Sequence, residues 1–141
     1  MSPSCSERKL RLLLGAIGLL DLSALVVVFV PLATLTEATR RLGLAPLPDV
    51  PLTQYMLRTA SALYALHGAI FLFLANNVPV YRALIRFWAC ATLVHGSLVQ
   101  GVMWAIEMPP WWQFTEAIGY FGPALATLWL LRQMPRTVSS V

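Results

Sequence analysis

Three ionisable residues, Asp21, His67 and His95, interrupt long apolar stretches of this chain and are the side chains with the most chemistry to offer. Two imidazoles can ligate a haem iron between them, as in bis-histidine membrane cytochromes. Two imidazoles and a carboxylate can instead hold a divalent cation, and the same three groups can take up and release protons near neutral pH. A plainer role competes with all of these, because a histidine within a membrane helix often only hydrogen-bonds a hydroxyl or carbonyl of its neighbour. Arg58 and Glu116 each fall about one turn inside an apolar stretch and read as a buried ion pair, with Glu107 as a competing partner for the arginine. The chain has no nucleophile elbow, no His-Glu-x-x-His, no glycine-rich phosphate loop and no Cys-x-x-Cys. Catalysis is therefore not expected, and neither a metal nor a cofactor is, haem b being the alternative.

The elements that must position these groups are apolar helices. Hydrophobic residues make up 58% of the chain and charged residues 11%, with a mean hydropathy of +0.70, whereas soluble domains carry about a quarter charged residues. A helix needs roughly 20 residues to cross about 30 Å of hydrocarbon. Four stretches qualify: Leu10–Leu35, Gln54–Ala75, Ala83–Ile106 and Phe114–Leu131. A bilayer offers exposed backbone no hydrogen-bond partners, so these stretches must be helical. The short connections force antiparallel neighbours. The expectation is an all-α integral membrane protein, a four-helix up-down-up-down bundle that uses residues 1–141 as one domain, with an interfacial loop over 36–53. Pro31 should kink the end of the first helix, which then continues as an interfacial stub through Thr36–Leu42 and is capped by Gly43.

Counting about 1.5 Å per residue from the outer helix ends puts Asp21 and His67 roughly 20 Å deep and His95 roughly 16 Å deep, so the three share one layer. At about 100° per residue, Arg58, Ser61, Ala62, Ala65, Gly68 and Ala69 share one face of the second helix, with His67 nearly opposite. Cys90, Ser97, Gln100 and Gly101 form a similar small or polar face on the third, with His95 on its far side. Faces of this kind suit close helix packing.

Orientation follows from the cations. A cytoplasmic N-terminus places Arg8, Lys9, Arg11, Arg82, Arg86, Arg132 and Arg136 inside, against Arg40, Arg41 and Arg58 outside, so both termini are expected in the cytoplasm. The net charge of +4 is then a positive-inside signature and calls for no nucleic acid. Tyr55, Trp104, Trp111 and Trp112 fall near one interface and Tyr81, Trp88 and Trp129 near the other. The first apolar run is too long for a secretory signal and reads as retained. Cys5 and Cys90 read as free structural thiols.

The run from Arg58 to Pro79, then Tyr81-Arg82-Ala83-Leu84 opening a helix, then the Met108-Pro109 turn, resembles uncharacterised bacterial four-helix membrane proteins, loosely the DoxX-like family, over residues 10–131 in layout. Where those relatives carry glycine pairs, this chain has His67-Gly68 and His95-Gly96. The resemblance implies a protein of the bacterial inner membrane, and one associated with redox and quinone-linked systems. Beyond the bilayer, the partners this layout admits are copies of itself, another chain and a small lipophilic ligand. A non-enzymatic ligand-binding or interaction subunit is the expected function. The alternative is a redox or proton-relay protein built on Asp21, His67 and His95.

Overall fold

The computed structural model describes residues 5–134 and is helical throughout, with no strand among the described residues. Six helices follow in order: α1 Cys5–Ser23, α2 Leu25–Phe29, α3 Leu32–Arg41, α4 Pro51–Asn76, α5 Arg82–Ala105 and α6 Pro110–Gln133. Arg136 lies outside the described residues.

The expected first helix is not one rod. At Ala24 the hydrogen bonds tighten to a three-residue spacing, Ala24 N–H to Asp21 C=O at 3.1 Å and Val27 N–H to Ala24 C=O at 3.0 Å, a 3₁₀-like step between α1 and α2. Val30 and Pro31 are then both extended, with ψ of 135° and 143°. Proline disfavours the helical region for the residue before it and has no N–H of its own, so it ends the span instead of kinking it. The chain restarts as α3, and the expected loop over 36–53 is thus a helix as far as Arg41. Prolines also move two starts upstream: α4 opens on Pro51 and α6 on Pro110. At a first helical position the missing N–H costs nothing and φ is preset.

Two helix ends share one geometry. After α3, Gly43 N–H bonds Arg40 C=O and Leu44 N–H bonds Thr39 C=O; after α5, Glu107 N–H bonds Trp104 C=O and Met108 N–H bonds Met103 C=O. Both are Schellman ends, which need a left-handed residue. Gly43 adopts φ 74° without strain, whereas Glu107 adopts φ 54° with a side chain attached.

The described chain divides into two compact units, residues 5–14 with 74–134, and residues 15–73. In the first, α5 and α6 pack along their lengths. Ile85, Ala89, Gly96 and Met103 are the buried stripe of α5, and Ala124, Thr127, Leu130 and Leu131 that of α6. Arg82 Nη2 donates to Leu131 C=O at 2.7 Å and to Met134 C=O at 3.1 Å, so the start of α5 caps the end of α6 and the two helices run antiparallel. Carbonyls in a last helical turn lack intrahelical donors, and a cation suits that end of the dipole. In the second unit, Gly18 faces Gly68 and Leu72, and Asp21 faces Gly68, so α1 and α4 also run antiparallel.

Two helical runs among the described residues are long and apolar enough to cross a membrane: Cys5–Phe29, of 25 residues, and Pro51–Asn76, of 26. Arg86, His95 and Gln100 dilute α5, and Gln113, Glu116 and Pro123 dilute α6.

Candidate functional site

The α1–α4 crossing is set by glycine. A Cβ on Gly68 would lie 2.5 Å from both Gly18 C=O and Leu22 N, and one on Gly18 would lie 2.9 Å from Gly68 C=O. No side chain fits there, so the two backbones touch. That approach lets the short Asp21 side chain reach the next helix, where its Oδ2 sits 2.7 Å from His67 Nδ1. The tautomer in which Nδ1–H donates to the carboxylate satisfies both groups, and a protonated imidazole would make the same contact an ion pair. The two side chains are 18% and 39% exposed, aspartate first, and Phe71 sets its ring edge-on to His67 at 4.4 Å. The pair thus stands in a largely apolar setting on two helices able to span a membrane, where an unpaired charge is costly.

Helical phase placed His67 nearly opposite the small face of α4, and the structure corrects this. Ser61, Ala65 and Gly68 are buried as expected of a packing face, but Ala62, Ala69 and Arg58 are exposed. The packed stripe is rotated from the expected one, taking in Phe71 and leaving out Ala62 and Ala69, and His67, next in sequence to Gly68, borders it.

His95-Gly96 repeats the arrangement in the other unit. A Cβ on Gly96 would lie 2.8 Å from Tyr120 Cβ, and the His95 ring meets Tyr120 edge-on at 5.4 Å. Here the partner is aromatic, not a carboxylate. Of the expected small or polar face of α5, only Gln100 is half-buried, donating Nε2 to Gln113 Oε1 on α6 at 3.5 Å; Cys90, Ser97 and Gly101 are exposed, and a Cβ added to Gly101 would meet nothing within 4 Å. The sequence signal that finds both contacts is the His-Gly dipeptide.

Among the described residues there is no group of three or more His, Cys, Asp or Glu placed to hold a metal ion. Of the three residues expected to act together, Asp21 and His67 meet within residues 15–73, and His95 belongs to the other unit. Within its own unit, His67 uses Nδ1 on Asp21 and His95 makes a ring contact with Tyr120. Arg58 and Glu107 are exposed and Glu116 is half-buried; among the described residues of their own units none of the three forms an ion pair.

An ionic cluster that the sequence did not announce lies on α3. Glu37 accepts two hydrogen bonds from Arg40, Nε at 2.8 Å and Nη2 at 3.0 Å, and one from Arg41 Nε at 2.9 Å. The Arg40 guanidinium, followed by that of Arg41, lowers the Glu37 carboxyl below the ordinary carboxylate range, and Glu37 raises Arg40 in return. Both shifts are those of a solvated surface network. The helix spacing of three and four residues that permits it was visible; the shared carboxylate was not.

No family model matches the chain, and neither a curated protein nor a solved structure matches it.

Proposed function

We propose that this chain is a multi-pass integral membrane protein whose four long helical runs form one up-down-up-down bundle with both termini in the cytoplasm, acting as a non-enzymatic ligand-binding or interaction subunit. The observation that carries this is the chemistry of the exposed surface. Leu19 and Phe29 on the first run, Leu63 and Phe73 on α4, Phe87 and Leu98 on α5, and Phe114 and Leu125 on α6 are all more than half exposed. Soluble proteins rarely leave contiguous apolar surface of this extent uncovered, and α5 and α6 carry it as fully as the two more apolar runs do. The likeness in layout to DoxX-like proteins agrees with an inner-membrane location and is part of the proposal.

The test uses the native thiols. The protein is expected to remain in the membrane pellet after alkaline carbonate, and Cys5 to react with an impermeant maleimide only when the cytoplasmic side is opened. Release into the supernatant would overturn the membrane reading, and labelling of Cys5 on intact cells would overturn the orientation.

A second reading, a proton-binding role, is favoured by the 2.7 Å Asp21–His67 contact. A carboxylate and an imidazole in direct contact are the groups between which a proton relay passes its proton. A carboxyl infrared band that titrates in the wild type and is absent in Asp21→Asn would support it; a spectrum without pH dependence would end it.

A further inference from the structure

Between α3 and the segment that follows it lies an open groove of about 350 Å³, lined by Leu32, Ala33, Thr36, Glu37, Arg40, Leu47 and Asp49. All of these belong to the unit of residues 15–73. We propose that this groove holds the headgroup of a phospholipid bearing a primary ammonium, such as phosphatidylethanolamine. The inference rests on the membrane reading above and names the ligand class for the ligand-binding role.

Position supports it first. The apolar run stops at Phe29, and the Val30–Pro31 break releases α3 from the direction of the span. On α3, Leu32, Leu35, Ala38 and Leu42 gather on one side at about 100° per residue, and Glu37, Arg40 and Arg41 on the other. A helix so divided lies in the headgroup layer, apolar side toward the acyl chains.

Charge then selects the occupant. Glu37 takes two of the five N–H donors of Arg40, which fixes the guanidinium and leaves three donors for an anion. The same carboxylate holds Arg41. Two guanidinium groups on one carboxylate leave a net positive charge, and guanidinium is the side chain best shaped for a phosphate diester. Asp49 lines the groove as a second carboxylate, with Gln54 Nε2 at 3.4 Å as its polar neighbour. It offers an acceptor for an ammonium. Leu32, Ala33 and Leu47 supply apolar wall where the glycerol and first acyl carbons would rest. An anionic headgroup such as phosphatidylglycerol satisfies the arginines but meets Asp49 only with neutral hydroxyls, which bond a carboxylate more weakly than an ammonium does.

The full-length protein in detergent, studied by native mass spectrometry with phosphatidylethanolamine and phosphatidylglycerol of matched acyl chains, tests this. The wild type is expected to retain phosphatidylethanolamine about tenfold better, on the scale of one charge-assisted hydrogen bond. Asp49→Asn should erase the preference while keeping both lipids, and Arg40→Gln should weaken both. Equal retention of the two lipids by the wild type, or an Arg40→Gln variant that binds as the wild type does, would overturn the proposal. Full displacement of the lipid by millimolar O-phosphoethanolamine would also overturn it, since the site would then serve a soluble headgroup. Failure of the membrane reading is distinct: the protein would leave the membrane in carbonate, and wild type and variants alike would retain no lipid.

Discussion

The two units solve the same problems with different groups. Each has a His-Gly dipeptide at a helix crossing and each has a helix that ends on a left-handed residue. In residues 15–73 the crossing is backbone on backbone, the histidine meets a carboxylate, and the left-handed residue is glycine. In the other unit the crossing is backbone on tyrosine, the histidine meets an aromatic edge, and the left-handed residue is glutamate. Arginines also differ in part: Arg40 and Arg41 share Glu37 in one unit, whereas in the other Arg11 pairs with Glu7 and Arg82 donates to the final carbonyls of α6 and its C-cap. The first unit is tight at a point and polar beside it, whereas the second is held along a packed stripe.

The sharpest way to break this contrast is to fill the glycines. Gly68→Ala forces two backbones apart and is expected to cost about 3 kcal/mol, against about 1–2 for Gly96→Ala, where a side chain gives way. Thermal unfolding in detergent reads both, and equal losses would mean the crossings are equivalent.

Much of the architecture behind that contrast was legible. Apolar runs located the long helices, and Gly43 marked the end of α3, whereas Pro31 was read as a kink and is a break. Starts were less legible, because hydropathy cannot see that Pro51 and Pro110 are good first residues. Asp21 and His67 were singled out by cost in an apolar run and matched by depth, and they do meet. Their partnership needed the Gly18–Gly68 contact, a distance that no helical phase contains. Averaging over a whole face misplaced His67 and chose the wrong side of α5. Arg82 was counted only for its charge, since its acceptors lie 49 and 52 residues away.

Removing the histidines comes next in size. His67→Ala strands a half-buried carboxylate and should cost about 2 kcal/mol, whereas His95→Ala forfeits one ring contact, about 1 kcal/mol. A double-mutant cycle of Asp21→Asn with His67→Gln should show coupling, and a coupling of zero would reduce the pair to a neighbourly contact. At the helix ends the signs should oppose. Glu107→Gly relieves a left-handed side chain and should stabilise by about 1 kcal/mol, and Gly43→Ala should destabilise by about as much. Chemical denaturation of both variants checks this.

The smallest effect concerns pH. Glu37 has its folded value lowered by Arg40 and Arg41, so its contribution is present at neutral pH and is lost as pH falls through that lowered value. Because the network is solvated, the change should be slight and sensitive to salt. Glu37→Gln should remove it from an acid titration of stability, and an unchanged titration would mean that another group is responsible.

The break at Val30–Pro31 also sets a length. Without it, a helix running from Cys5 to Arg41 would extend about 55 Å; with it, the first run has 25 residues, about 37 Å, and α4 has 26, about 39 Å. The two runs are therefore matched to each other within a single residue rise, and each is longer than the roughly 30 Å of a hydrocarbon layer, with Glu7, Arg8, Lys9 and Arg11 at the start of the first. On the membrane reading proposed above, the proline thus trims the first run to the length of the helix it packs against.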